Sequence, residues 1–92
     1  MSTTEKIATI LRQALSATEV TVEDESALHT GHAGAASGGG HFRVTVISPQ
    51  FEGKSLVARH RMVYEALANE MQRTIHALAL TTLTPSQHFS HP

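Results

Sequence analysis

The sequence predicts an α+β fold in the order α-β-β-α-β, with a three-stranded mixed sheet covered by helices on one face. Two stretches whose apolar residues recur at the helical period indicate helices, and three short stretches rich in β-branched or alternating apolar residues indicate strands. The connection between the first two strands is too short for a helical crossover, which favours an antiparallel pair. A helix joins the second strand to the third, which favours a parallel pair with a right-handed crossover. With 92 residues, the chain is expected to form one small domain.

The first helix is expected from Ser2 to Ala14 or Leu15. Ser2 and Glu5 are three residues apart and fit a capping box, in which each side chain bonds the other residue's backbone N–H. The apolar stripe that should cover the sheet follows the 3.6-residue period and consists of Ile7, Ile10, Leu11, Ala14 and Leu15.

The first strand is expected from Glu19 to Glu25, where valines alternate with polar residues. Its last three residues are acidic, which indicates either a solvated strand end or an acidic contact patch for a partner. Residues 26–40 follow as a flexible loop, because they contain many glycines and little that could be buried. Loops of about 15 residues are usually functional or disordered.

The second strand is expected over residues 41–47, with Phe42, Val44 and Val46 on one face because side chains in a strand alternate. A turn then leads to Ser55, a good N-cap for a helix expected from Leu56 to Met71 or Gln72. The face of this helix that should meet the sheet contains Leu56, Val63, Leu67 and Met71. The side chains expected to point away are Arg59, Arg61, Glu65 and Glu70.

The third strand is expected over residues 74–81, and its two apolar faces predict a largely buried strand. Thr84-Pro85 then begins a short last turn or helix. The predicted domain therefore spans residues 1–92, with an ordered core over about residues 3–86 and a frayed tail over residues 87–92.

Composition narrows the function classes. The formal net charge is -1, with 7 Lys and Arg against 8 Asp and Glu, which is not the footprint of a strongly nucleic-acid-binding protein. The absence of cysteine excludes disulfides, cysteine zinc sites and a thiol nucleophile. No apolar run approaches the roughly 20 residues of a membrane helix, and no signal or transit peptide is apparent, so a soluble cytoplasmic protein is expected. Seven histidines raise the prospect of metal or pH chemistry.

Four histidines form the first candidate site. His41 begins the second strand and His76 lies near the start of the third, so parallel neighbours would place both at one end of the sheet. The loop containing His29 and His32 reaches the same end. Two imidazoles are too few for a structural zinc site, which takes four ligands. They could instead complete a site whose other ligands come from a partner, form a histidine-rich metal-binding module, or be strand-end residues with ordinary hydrogen bonds.

A second candidate site is the turn around Gly53 with the helix behind it. Lys54 and the helix N-terminus could hold a phosphate, because free N–H groups and the helix dipole favour anions there. Arg59 and Arg61 could add contacts to a nucleic-acid backbone. A charged, solvated helix face is the alternative. No nucleophile, base and orienting group occur in a recognisable catalytic arrangement, so the protein is not expected to be an enzyme.

Taken together, these motifs make the chain resemble the BolA family over nearly its whole length. The stretches that carry the resemblance are Val22-Glu23-Asp24-Glu25-Ser26, Gly40-His41-Phe42-Arg43-Val44, Phe51-Glu52-Gly53-Lys54-Ser55, Arg59-His60-Arg61-Met62-Val63-Tyr64, Ile75-His76-Ala77-Leu78-Ala79-Leu80 and Thr84-Pro85. The resemblance implies a fold similar to a class II KH domain with extra short helical turns. His88 is a departure, because the family often has tryptophan there.

The resemblance also implies a function in iron–sulfur cluster or iron homeostasis. BolA-like proteins partner with monothiol glutaredoxins of the CGFS type and share a bridging [2Fe-2S] cluster, with glutathione and the glutaredoxin cysteine on the other side. On this basis His76 is the expected constant ligand and His32 the expected second one, with His29 and His41 as alternates. Gly40, His41 and His76 would lie at the partner interface. No cofactor is expected to bind the isolated protein tightly; alone it should be a monomer, and with glutaredoxin a heterodimer.

The resemblance offers a second function as well. Some BolA proteins are described as DNA-binding transcriptional regulators of cell shape and stress response. Lys54, Arg59 and Arg61 on the KH-like helix and turn would make that contact. The turn contains a single glycine, Gly53, instead of the paired glycines of a KH clamp.

Overall fold

The structure, a computed structural model, describes residues 2–26 and 40–90, with side chains up to His88 in the last helix. Most of the expected loop 26–40 lies outside these ranges. The candidate ligands His29 and His32 lie outside them too, as do residues 91 and 92.

The predicted fold class is confirmed. Strand β2 is central, β1 pairs with it antiparallel and β3 pairs with it parallel, giving the sheet order β1-β2-β3. No helix in the described part of the chain has the length and apolar character needed to cross a membrane. In chain order the elements are α1 (Thr3–Leu15), β1 (Glu19–Asp24), β2 (Gly40–Ile47), a 3-10 turn (Pro49–Phe51), α2 (Leu56–Ala66), α3 (Ala68–Arg73), β3 (Ile75–Leu83) and α4 (Pro85–Ser90).

The start of α1 agrees with its sequence signals. Ser2 caps the helix, with its Oγ accepting from the Glu5 N–H at 3.2 Å and its own N–H donating to Glu5 Oε1 at 3.4 Å. Ile7, Leu11 and Leu15 are buried. The other two members of the predicted stripe are less enclosed: Ile10 is half-buried and Ala14 is exposed.

The core lies between α1, α2 and the covered face of β2. The prediction for this face is confirmed, because Phe42, Val44 and Val46 are all buried. Ser48, just beyond the strand, is fully buried and joins three elements. Its Oγ donates to the Leu15 carbonyl at the end of α1 at 2.5 Å, and its N–H donates to the Leu83 carbonyl at the end of β3 at 3.0 Å.

The prediction of a single long helix after Ser55 is wrong in one respect, because the structure has two helices there. Ser55 does cap a helix, because its Oγ accepts from the Ala58 N–H at 3.1 Å. The helix then breaks at Leu67, whose φ of -99° and ψ of 15° divide it into α2 and α3. No proline or glycine marks the break, and Leu67 is fully buried against the core.

Three side chains of α2 and α3 lie on the opposite side from the one predicted. Leu56, expected in the core, lies in the first turn of α2 and is 63% exposed. Arg59 and Glu70 were expected to point away, and each is only 8% exposed. Both are hydrogen-bonded inside the protein, which is how an ionised group is accommodated when it is buried.

The prediction of a largely buried third strand is also wrong. Within the described residues β3 has a neighbour only on its β2 side, so it is an edge strand, and it exposes His76, Ala79 and Thr81. Helix α4 follows directly and extends to Ser90, inside the stretch expected to fray. A capping box begins α4: the Thr84 N–H donates to Gln87 Oε1 at 2.9 Å, and the Gln87 N–H donates to Thr84 Oγ1 at 3.1 Å.

Candidate functional site

Two of the predicted histidines come together at one end of the sheet. The ring centroids of His41 and His76 are 5.2 Å apart, and the ring planes are tilted by 49°. His76 is exposed and His41 is half-buried. The parallel pairing of β2 and β3 brings the beginnings of both strands to the same end, as predicted.

An irregularity in the pairing sets the position of His76. Gly40 pairs with Ile75, but His41 pairs with Ala77, so β3 contains one residue more than β2 at this point. The extra residue is His76. A β-bulge of this kind bends the strand and re-aims a side chain. It leaves Ile75 in the core and His76 at the surface.

Gly40 allows the two strands to approach closely beside the bulge. Its N–H donates to the Thr74 carbonyl at 2.9 Å. A Cβ at this position would lie 2.7 Å from Phe42 Cζ, closer still to Phe42 Cε2, and 3.2 Å from the Thr74 oxygen. Phe42 is only 4% exposed, so its ring has no open space into which it could turn.

We therefore expect Gly40→Ala to lower the free energy of unfolding by about 2 kcal/mol, the usual order for overpacking a tight core. Urea unfolding measures this. Gly53→Ala is the control, because nothing lies within 4 Å of a Cβ there but its φ of +73° disfavours alanine. That strain costs about 1 kcal/mol. A loss at Gly40 smaller than the loss at Gly53 would show that Phe42 yields without cost.

The end of β1 is ordered around His41. The His41 N–H donates to Ser26 Oγ at 3.1 Å, and its carbonyl accepts from the Glu25 N–H at 2.7 Å. Arg43 Nε lies 3.0 Å from Glu25 Oε2, and this hydrogen bond raises the pKa of Arg43. The Ser26 hydroxyl and N–H hold the pKa of Asp24 below its usual value. The acidic strand end is therefore a hydrogen-bonded structure beside the histidines and not a solvated terminus alone.

The histidines at this end of the sheet are suited to a half-site, that is, to a metal site whose remaining ligands come from a partner. Among the residues that the structure describes, no three His, Asp or Glu side chains converge on one point, so a closed four-ligand metal site is not formed there. The exposed imidazole of His76 can supply a nitrogen ligand to a metal centre that a partner also ligates, and the ring of His41 lies beside it at 5.2 Å with its Nε2 buried. A groove of about 280 Å³ beside them is lined by Glu25, His41, Phe42, Arg43, Ala77, Leu78 and Ala79.

The second candidate site does not assemble as predicted. Arg59, expected at the surface, is buried: its Nε donates to the Lys54 carbonyl at 2.9 Å, and its Nη1 donates to the Thr82 carbonyl at 3.2 Å and to Gln87 Oε1 at 2.8 Å. Lys54 and Arg61 are exposed. The predicted set of three cations is therefore two surface cations and one internal one.

Glu70 and Thr74 are hydrogen-bonded to each other just before β3 begins, and the sequence provides no reason to assign them a role at this site. Thr74 Oγ1 donates to Glu70 Oε2 at 3.0 Å, and Thr74 O accepts the Gly40 N–H. A helical spacing that includes Val63, Leu67, Glu70 and Thr74 could have placed Glu70 on the buried side, since i, i+4 and i+7 share a face.

Comparisons with known proteins identify relatives of this chain. Residues 11–87 match the family described as BolA-like protein. The chain is 45% identical over 82 residues to BolA-like protein 1 of Mus musculus, covering 89% of this chain and 58% of that protein. It is 44% identical over 80 residues to the DNA-binding transcriptional regulator BolA of Escherichia coli, covering 87% of this chain and 73% of that protein. The chain thus spans less than two thirds of the length of several curated relatives.

The solved structures agree as well. The BolA domain of SufE1 from Arabidopsis thaliana superposes with a TM-score of 0.81 at 37% identity, covering 95% of this chain and 96% of that one. BolA1 from the same plant gives a TM-score of 0.80 at 33% identity, with the same coverage. The fold, the family match and the relatives together show that this chain belongs to the BolA-like family.

Proposed function

We propose that this protein is a non-enzymatic accessory protein in iron–sulfur cluster or iron homeostasis. It binds a CGFS-type monothiol glutaredoxin and shares a bridging [2Fe-2S] cluster with it, glutathione completing the glutaredoxin side. His76 is the first ligand. The second is His32, with His29 and, from the described residues, His41 as the alternates.

The observation that carries this proposal is the pair of imidazoles at one end of the sheet, with ring centroids 5.2 Å apart. The exposed position of His76 leaves it accessible to a partner. Two nitrogen ligands suit a [2Fe-2S] cluster that takes its remaining ligands elsewhere, as the histidines of Rieske centres do, and imidazole ligation raises the reduction potential of such a cluster.

The test is cluster reconstitution with a CGFS glutaredoxin and glutathione, with and without this protein. We expect the absorption and circular-dichroism spectra to change when the protein is added, because imidazole replaces sulfur or solvent ligands. Spectra identical to those of the glutaredoxin alone would remove the proposal in this form.

A second candidate function is DNA-binding transcriptional regulation, which the name of the Escherichia coli relative favours. Lys54 and Arg61 are exposed beside the turn at Gly53 and could contact phosphates. Arg59 is engaged inside the protein by three hydrogen bonds, which argues against a direct role for it.

If this second function holds, Lys54→Ala with Arg61→Ala should weaken DNA binding uniformly across sequences. The slope of log affinity against log salt should fall by about 1 for each phosphate that the protein no longer neutralises. Fluorescence anisotropy with a labelled duplex over a salt series measures both. His76→Ala is the control and should bind DNA like the wild type. Equal affinities for wild type and double variant would exclude this surface.

A further inference from the structure

Glu70 is a buried carboxylate whose contacts lead towards the histidine pair. The residue is 8% exposed and lies in α3. Its Oε2 accepts from Thr74 Oγ1 at 3.0 Å, and its Oε1 lies 4.0 Å from Lys6 Nζ in α1. A carboxylate is retained in such a place when hydrogen bonds and an opposite charge offset its desolvation.

Thr74 connects this carboxylate to the strand that bears His41. Its N–H donates to the Glu70 carbonyl at 2.8 Å, so both the backbone and the side chain of Thr74 are bonded to Glu70. Its own carbonyl accepts the Gly40 N–H at 2.9 Å. Thr74 is two residues before His76, and Gly40 is one residue before His41. The hydrogen bonds from Glu70 through Thr74 to Gly40 therefore reach both strands where the bulge begins.

The bulge needs such an anchor because another pairing is available. From Phe42 opposite Leu78 onwards, the two strands pair without interruption. Continued backwards without the bulge, that register would place His76 opposite Gly40, where Ile75 now lies. Holding Thr74 against both Glu70 and Gly40 keeps Ile75 in the core and leaves His76 as the extra residue beside His41.

We propose that Glu70 is a positioning residue for the histidine pair, acting through Thr74 to fix the bulge that sets His76 beside His41. The positioning of His76 beside His41 involves residues of this chain alone. Only the use of the two histidines in cluster binding rests on the proposed function. Lys6 extends the same connection to α1.

The experiment compares Thr74→Val with the wild type by NMR on the isolated protein, well below the midpoint of thermal unfolding. Valine keeps the volume and removes the hydroxyl that bonds Glu70. We expect nuclear Overhauser cross-peaks between the ring protons of His41 and His76 in the wild type. These should weaken several-fold in Thr74→Val and return in Thr74→Ser, which restores the hydroxyl.

Thr82→Val is the matched control. It makes the same chemical change at the other end of β3, where the hydroxyl of Thr82 is buried and has no hydrogen-bond partner among the described residues. It should leave the ring contacts unchanged. A merely structural role for Thr74 would lower stability without changing the distance between the rings in the folded molecules.

Wild-type cross-peaks in folded Thr74→Val overturn the proposal. Should that variant fail to fold, Glu70→Gln decides, because it keeps the volume and exchanges a charged acceptor for a weaker neutral one. Weakened ring contacts in folded Glu70→Gln support the proposal, and unchanged contacts contradict it. The ring contacts are measured without glutaredoxin, so this inference and the proposed function can fail independently.

Discussion

Replacing Arg59 with alanine is expected to lower the free energy of unfolding by about 3 kcal/mol, because it removes a buried, hydrogen-bonded charge. The guanidinium donates to the Lys54 carbonyl, the Thr82 carbonyl and Gln87 Oε1. Alanine would remove all three hydrogen bonds, of which the one to the Thr82 carbonyl is buried, and the loss of a buried hydrogen-bond partner costs about 1–3 kcal/mol. Urea unfolding followed by far-ultraviolet circular dichroism measures the change.

The size of the effect follows from where the three acceptors lie. Lys54 belongs to the turn before α2, Thr82 to the end of β3, and Gln87 to α4. The guanidinium also lies over the Phe51 ring, 5.9 Å from its centroid, which adds a cation–π contribution. Gln87 Oε1 additionally accepts from the Thr84 N–H that begins α4. Loss of Arg59 should therefore loosen the turn and α4 together.

Arg61→Ala is the matched control, because Arg61 is the neighbouring arginine on α2 and is exposed. Its removal should change stability by no more than about 0.5 kcal/mol. Equal losses for the two variants would show that the burial of Arg59 contributes nothing. The contrast also matters for the second candidate function. Weaker DNA binding by Arg59→Ala would reflect unfolding and not the removal of a cation from the candidate DNA-binding surface.

Much of the fold is predictable because local patterns decide it. The capping box at Ser2, the alternation of Phe42, Val44 and Val46, and the N-cap at Ser55 each determine a nearby hydrogen bond or a buried face. Strand directions follow from the length of the connections. The meeting of His41 and His76 then follows from the parallel pairing of their strands.

What the sequence does not predict depends on contacts between distant residues. The bulge beside Gly40 lies next to the hydrogen bond between Gly40 and Thr74, which are 34 positions apart in the sequence. Arg59 and Glu70 have the charges of surface residues, and partners from other elements help to make their burial tolerable: the Thr82 carbonyl for Arg59 and the Lys6 ammonium for Glu70. In sequence, an edge strand rich in alanine and leucine resembles a buried strand. The local pattern does not show whether a neighbouring strand lies on one side or on both.

If the proposed function holds, replacing His76 with alanine should abolish the spectral change that adding this protein causes in a glutaredoxin-bound [2Fe-2S] cluster. His76 is the exposed imidazole of the pair, so a partner can approach it directly. Alanine offers no nitrogen ligand, and a single remaining imidazole is a poor half-site. Cluster reconstitution followed by absorption and circular dichroism measures the loss, and the unfolding curve of the variant confirms that it is folded.

The same experiment identifies the second ligand. His32 is expected from the family resemblance, whereas His41 is the imidazole that lies beside His76, so His32→Ala and His41→Ala should differ. The variant that loses the spectral change identifies the ligand, because the other keeps both nitrogens. His88→Ala is the histidine control, since His88 lies on α4 with its Nε2 3.6 Å from a carboxylate oxygen of Glu19. A wild-type spectrum with His76→Ala would show that the histidine pair is not the half-site, even if the glutaredoxin partnership holds.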